Sequence, residues 1–331
     1  MKNELKSNLT YNKTMLVLSA LCIISGFASL FLGEFIIPIA SASLAAIICF
    51  EDKSKRLYSC VSALSLLLIN VIAIFLKFQL ISFWSLIAII IAVVISHAYL
   101  NSSNKAQSAF LLTAISAALL VVPLILSAMT ASGEFTFESA ISFYEDIFSQ
   151  MRKEFILYVN QLGDEIELSA GADTFDTQYF IDIYDYQVSM IISYVVIAAF
   201  VLVGLTFKCF DIIIKRCVND DSHILSWRFT TDNIFAYFYL ILAVVSLFMP
   251  TPDSILAVTV VNLYNIFMFI YFYVGYMLAR DFFSRGRQPL FSRILFVLVV
   301  ITFLTYAIEI LALIGAFATI KTNNDKILPE D

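Results

Sequence analysis

The chain has 331 residues, of which 61% are hydrophobic and only 14% are charged, with a formal net charge of −6. A soluble domain carries about 25% charged residues, so this composition excludes a water-soluble globule, whose surface these few polar groups could not cover. The mean hydropathy of +0.90 predicts an all-α, polytopic bundle of transmembrane helices, and nothing in the charge balance indicates nucleic-acid binding.

A helix crosses the hydrocarbon core with about 20 apolar residues, and by this criterion the sequence predicts about nine spans. In chain order they cover residues 14–32, 35–50, 57–76, 80–100, 106–130, 186–207, 229–249, 254–278 and 290–320. The second is short and contains Pro38, so a half-span or re-entrant hairpin is the alternative there, and eight spans are then possible. The first run is too long for a signal peptide and is interpreted as a retained helix.

These spans divide the chain into four predicted regions. They are a five-span membrane region (1–130), an extracytoplasmic helical loop (131–185), a four-span membrane region (186–320) and a polar tail (321–331). Most Lys and Arg residues fall on one side if the N-terminus is cytoplasmic, as the positive-inside rule requires. The prediction is a multi-pass protein with its N-terminus inside the cell.

The loop 131–185 contains one long predicted helix, over about residues 135–167, with a repeating apolar pattern. Steps of four and three place eight side chains on one stripe: Phe137, Ile141, Tyr144, Phe148, Met151, Phe155, Tyr158 and Leu162. An amphipathic helix must bury such a stripe. The candidate surfaces are the membrane interface, the outer helix ends of the same chain, and an equivalent helix in a second copy or another membrane partner.

Four polar residues within the predicted spans form the candidate intramembrane site. Glu309, Asn262 and Asn265 lie at similar depth in the last two spans, with Asn70 at a comparable level in the third. An ionisable residue at that depth usually faces the interior of the bundle, so the four are predicted to form one polar layer, joined by Tyr264 or Tyr306. The alternative is structural: Asn side chains commonly link transmembrane helices by hydrogen bonds.

A basic cluster follows the eighth span on the predicted cytoplasmic side. It consists of Arg280, Arg285, Arg287 and Arg293. Such residues are attracted to anionic lipid headgroups, and a cytosolic acidic partner is the alternative.

Catalytic motifs are missing from the sequence. It contains no H-E-x-x-H, G-x-S-x-G, P-loop or G-x-G-x-x-G pattern, its cysteines match no zinc-site spacing, and its two histidines, His97 and His223, are far apart. The sequence therefore predicts a protein that is not an enzyme and that has no cofactor or metal.

Two segments resemble the YybS-like family of bacterial multispan membrane proteins, which carry a domain of unknown function. One is the outer-loop sequence FYEDIFSQMR (143–152), and the other is the aromatic run that follows Asn262 and ends in YFYVG (271–275). The N-terminal half of that family is similar to the membrane-embedded substrate-binding subunits of energy-coupling-factor vitamin transporters. The resemblance implies a bacterial plasma-membrane location and no catalytic residues.

The function expected from these features is transport-related, or small-molecule binding within the helix bundle. The alternative is a non-transporting membrane scaffold or regulator that acts through the outer helix and the Arg cluster.

Overall fold

The computed structural model describes residues 2–32, 36–51, 56–75, 84–101, 105–170, 177–218, 232–248, 254–284 and 289–325. Within these ranges the regular structure is entirely helical, which confirms the predicted all-α class. The helices are α1 (Lys2–Leu32), α2 (Ile37–Phe50), α3 (Leu57–Phe75), α4 (Trp84–Leu100), α5 (Lys105–Ser132), α6 (Phe137–Ala170), α7 (Thr177–Ser189), α8 (Ile191–Val218), α9 (Asn233–Leu247), α10 (Ile255–Ser284), α11 (Pro289–Thr302) and α12 (Leu304–Asp325).

Among the described residues, four helices are long and apolar enough to cross a membrane, and a fifth candidate is a bent pair. The four are Tyr11–Phe31, Ser108–Ser132, Ile191–Arg216 and Ile255–Phe283. The other predicted spans form shorter apolar helices: α2, for example, has 14 residues, about 21 Å at 1.5 Å per residue, against a hydrocarbon core of about 30 Å. The predicted count of about nine spans is therefore not confirmed.

The last predicted span, 290–320, is not one straight helix. Ile294–Thr302 and Tyr306–Thr322 meet at an angle of 117°. The second of these helices carries Glu309 and continues to Asp325.

The chain folds as two compact units. The first comprises Met1–Ser149 and Ala198–Trp227, and the second comprises Gln150–Ile197 and Arg228–Asp331. The boundaries between the units fall within α6 and α8.

The first unit is built around α2, which contacts α1, α3 and α4. Side chains from Ala40 to Ile47 are buried around the whole circumference of the helix, which explains why this segment is apolar on every face. Pro38 occupies the first turn of α2, where its missing N–H removes no intrahelical bond.

The start of α3 is capped by an acidic side chain. Glu51 is buried, and its carboxylate accepts hydrogen bonds from the backbone N–H groups of Tyr58 (2.5 Å) and Ser59 (2.9 Å). The first N–H groups of a helix lack intrahelical partners and carry a partial positive charge. A carboxylate at this position accepts their hydrogen bonds and also interacts favourably with that charge.

In the second unit, α10 and α12 cross with their backbones in contact. A Cβ atom at Gly275 would lie 1.8 Å from the carbonyl oxygen of Leu311, and one at Gly315 would lie 2.1 Å from that of Tyr271. Only glycine permits such an approach, and it brings Ala312 and the ring of Tyr271 into one buried core.

The predicted outer helix exists as α6, but its apolar stripe is not uniformly buried. Phe137 and Tyr158 are 61% and 62% exposed, whereas Ala140 and Val159 are only 2% and 3% exposed. Ala140 belongs to a groove of about 260 Å³ that also includes Tyr144. Large side chains of the predicted stripe are therefore exposed, whereas two smaller residues outside the stripe are buried. The amphipathic pattern is not confirmed.

Candidate functional site

Asn262, on α10, occupies the break between α7 and α8. In an unbroken α-helix the N–H of Ser193 would donate to the carbonyl of Ser189. Instead the N–H of Ser193 donates to Asn262 Oδ1 (2.8 Å), and Asn262 Nδ2 donates to the carbonyl oxygens of Ser189 (2.7 Å) and Val258 (2.9 Å). The side-chain amide therefore takes the place of the missing intrahelical bond and fixes α10 to this break.

Asn265 lies almost one turn further along α10 and also bonds to the α7–α8 region. Its Nδ2 contacts the sulfur of Met190 (2.8 Å) and donates to the carbonyl of Val261 (2.9 Å). The hydroxyl of Tyr186 on α7 lies near this side chain. The contact with Met190 fixes α10 to the junction of α7 and α8.

Three further tyrosines connect α9 and α10. The rings of Tyr239 and Tyr264 stack with centroids 6.0 Å apart, and their hydroxyls lie close to each other. Tyr271 lies 5.2 Å from Tyr239, ring to ring, and both are fully buried. These aromatic contacts join α9 to α10.

Glu309 on α12 faces this aromatic group. Ala312 and Ala316, three and seven residues after it, pack in the same core as Tyr239 and Tyr271, so Glu309 shares their face of the helix. Tyr264 packs against the same core, and the hydroxyls of Tyr186, Tyr239 and Tyr264 lie within electrostatic range of the Glu309 carboxyl group. We call this set the Glu309–tyrosine cluster: Glu309, Tyr186, Tyr239, Tyr264 and Asn265.

The cluster combines buried and accessible groups. Tyr239 is buried, Tyr186 and Tyr264 are half-buried, and Glu309 is exposed. In the part of the chain that the structure describes, Glu309 has no ion-pair partner. A carboxyl group at the surface of the cluster is thus backed by tyrosine side chains and by the amide of Asn265, which is hydrogen-bonded to the carbonyl of Val261.

The structure separates the four residues of the predicted polar layer. Asn262 and Asn265 bond to the α7–α8 region, and Glu309 belongs to the tyrosine cluster. Asn70 lies on α3 in the first unit, where its Oδ1 is buried without a hydrogen-bond partner. Of the two tyrosines expected to join the layer, Tyr264 is in the cluster.

Sequence reasoning missed Tyr186 and Tyr239 as site residues, and it offered Tyr306 as an alternative to Tyr264. Tyr306 is 70% exposed. Tyr239 lies in the middle of an apolar helix, where a phenol needs a polar partner. This position was the sequence feature that could have identified it as a site residue. Which partner it meets depends on how α9, α10 and α12 pack.

The Arg cluster is only partly described. Arg280 is paired with its neighbour Asp281 at 3.0 Å. Arg285 and Arg287 lie outside the described residues, as does the side chain of Arg293 on α11.

A second polar contact joins α6 to α7 within the second unit. Arg152 forms two hydrogen bonds of 2.7 Å to the carboxylate of Asp185, and Phe155 stacks on Tyr184 with centroids 4.8 Å apart. The hydrogen bond and charge of Asp185 raise the pKa of the Arg152 guanidinium. This contact holds α7, and with it Tyr186, against α6.

A metal role for these groups finds no support in the described part of the chain, where no three His, Cys, Asp or Glu side chains are close enough to hold an ion. The cluster can instead bind a ligand through one carboxylate, tyrosine rings and hydroxyls.

Over its described residues the chain is an all-helical protein with four or five candidate membrane spans, and its second unit contains a carboxylate–tyrosine cluster. No family model, curated protein or solved structure matches the chain significantly. The resemblance to the YybS-like family therefore stays a prediction.

Proposed function

We propose that this chain is a non-enzymatic, multi-pass protein of the bacterial plasma membrane that binds a small molecule at the Glu309–tyrosine cluster, in a transport-related role. The observation that carries the proposal is the exposed carboxylate of Glu309 beside three tyrosine hydroxyls. A carboxylate within a membrane helix is costly unless it faces a polar partner, water or a ligand. Aromatic side chains beside a few polar groups are typical of a ligand site.

The membrane arrangement is part of this proposal. We infer about nine membrane-embedded helices, in which the four shorter apolar helices are partial spans, and a cytoplasmic N-terminus. Residues 131–185, with the outer face of α6, then lie outside the cell.

Cysteine labelling tests the arrangement. In a variant that retains only Cys60, which is exposed on α3, a membrane-impermeant maleimide should react only after the cells are permeabilised. A Ser142→Cys variant that lacks the native cysteines should react in intact cells, because Ser142 is exposed on α6. The reverse pattern would overturn the topology.

A ligand screen tests the binding site. The full-length protein in nanodiscs is heated with a panel of metabolites, and each hit is repeated with Glu309→Gln and Asn265→Ala. We expect at least one compound to raise Tm in the wild type and to have little effect in both variants. Glu154→Gln, which changes an exposed carboxylate on α6, is the matched control. If every hit stabilises both site variants as well as the wild type, the proposed site is wrong.

The second candidate is a scaffold or regulator that self-associates, or binds a membrane partner, through α6. It is favoured by the exposed apolar side chains of that helix, including Phe137, Met151 and Tyr158. Photo-crosslinkers at Met151 and Tyr158 should then capture a second polypeptide in the native membrane. Crosslinks confined to a single monomer would argue against this role.

A further inference from the structure

The proposed ligand site contains one carboxyl group that forms no ion pair with a described residue. Two basic side chains of the second unit are held by other carboxylates: Arg152 by Asp185 and Arg280 by Asp281. Glu309 is exposed and has no ion-pair partner among the residues that the structure describes. A ligand that reaches it therefore meets an uncompensated carboxylate.

The walls beside this carboxylate are aromatic. Tyr239 and Tyr264 stack at 6.0 Å with an interplanar angle of 8°, and Tyr264 is only half-buried. The face of a tyrosine ring carries partial negative charge and attracts cations. Tyr239 is buried and stacks on the Tyr264 ring, so the exposed part of Tyr264 is the aromatic surface that a ligand can reach.

The same features disfavour other ligand classes. An anion would be repelled by Glu309 and would find no described basic side chain paired to it. A small hydrated metal ion needs several oxygen ligands, whereas the cluster has one carboxylate and the described residues show no metal-binding group. A large, weakly hydrated cation fits one carboxylate and aromatic rings.

We propose that the Glu309–tyrosine cluster recognises organic cations, that is, quaternary or protonated amines and related ions with apolar substituents. Glu309 supplies the countercharge, and the exposed part of Tyr264 supplies an aromatic face for the apolar and cationic parts of the ligand. Asn265 and Asn262 are positioning residues, since they hold the α7–α8 break against α10. This inference rests on the proposed function and names its substrate class.

A pair of probes with equal shape and opposite charge tests the proposal. Tetraphenylphosphonium and tetraphenylborate are titrated onto the full-length protein in nanodiscs, with benzyltrimethylammonium as a smaller cation and empty nanodiscs to correct for partition into lipid. We expect saturable binding of at least one of the two cations and none of tetraphenylborate. Glu309→Gln should weaken cation binding roughly tenfold or more, because one partner of a charge pair is lost, and Glu154→Gln should leave it within about twofold.

Variants of Tyr264 separate the ring from the hydroxyl. Tyr264→Phe keeps the aromatic face and should retain most of the affinity, whereas Tyr264→Leu should lower it several-fold. Because Tyr264→Phe removes only one oxygen, it keeps the test informative if Glu309→Gln folds poorly in size-exclusion chromatography. Equal affinity of the Leu and Phe variants would contradict the aromatic part of the proposal.

The outcomes distinguish the substrate class from the function. If neither cation binds, or if tetraphenylborate binds as well as tetraphenylphosphonium, recognition of organic cations is overturned. If a neutral or anionic metabolite from the screen binds in a Glu309-dependent manner instead, the site stands and only the ligand class is wrong. If nothing binds in a Glu309-dependent manner, both proposals fail.

Discussion

The helices of the two units are held together by different kinds of contact. In the first, the central helix α2 is buried on all sides by apolar and small side chains, and its neighbour α3 begins on the carboxylate of Glu51. In the second, α10 and α12 touch through their backbones at Gly275 and Gly315, and polar side chains bond across helices. A bilayer gives little hydrophobic drive for helix association, so close van der Waals contact and hydrogen bonds have to supply it.

The two units also differ in the expected role of their polar side chains. In the first unit, Glu51 completes the start of α3, whereas the second unit contains the Glu309–tyrosine cluster. We therefore expect substitutions in the second unit to affect both stability and ligand binding, and those in the first to affect stability alone.

The largest effect is expected at the glycine crossing. Gly275→Ala would place a Cβ atom 1.8 Å from the carbonyl oxygen of Leu311, and backbone cannot yield as a side chain can. We expect a loss of about 3 kcal/mol, the upper part of the range for overpacking, measured by denaturant unfolding in mixed micelles. Gly204→Ala on α8 is the matched control, because a Cβ there has no neighbour within 4 Å. Equal stability of the two variants would contradict the observed crossing.

A second test compares two asparagines, one in each unit. Asn262→Leu leaves the N–H of Ser193 and the carbonyl of Ser189 without their partner, so we expect a cost of about 1–3 kcal/mol. Asn70→Leu removes an Oδ1 that is buried without a partner and should be neutral or stabilising. Equal destabilisation by both would show that the two side chains do not differ as described.

A smaller effect is expected at the start of α3. Glu51→Ala removes the acceptor of the N–H groups of Tyr58 and Ser59, which should lower the free energy of unfolding by about 1 kcal/mol. Glu154→Ala changes an exposed carboxylate and should cost less than about 0.5 kcal/mol. Ligand binding should be unaffected by either change, and a loss of binding in Glu51→Ala would contradict the division of roles between the units.

The smallest effect concerns the ion pair between α6 and α7. Arg152 and Asp185 are both largely exposed, so a double-mutant cycle with Arg152→Ala and Asp185→Ala should give a coupling of about 0.2–1 kcal/mol. The coupling should shrink in 1 M salt because exposed charges are screened. A coupling that salt does not change would indicate a buried pair instead.

Much of the helical framework could be predicted from the sequence. Apolar runs of sufficient length mark the four long candidate spans, and the periodic loop sequence predicted a helix close to the observed Phe137–Ala170. The span count could not be predicted reliably, because run length does not say where a helix bends: the 117° angle between α11 and α12 falls inside one apolar run.

The candidate site was predictable only in part. Glu309 and Asn265 stand out because polar groups are rare in apolar helices. Tyr186 and Tyr239 did not, since tyrosine is common in membrane proteins at interfaces. The role of Asn262 depends on a helix break around Met190, which has no proline or glycine to mark it.

Composition and apolar run length by themselves determined that this chain is helical and suited to a membrane, since a hydrocarbon solvent requires long apolar helices that satisfy their own backbone. The tertiary structure alone decided which polar groups meet. The close approach of α10 and α12 at two glycines brings Glu309 to the tyrosines, and Asn262 replaces a backbone bond 69 residues away in the sequence. Such contacts depend on helix crossing and register, which local sequence patterns do not encode.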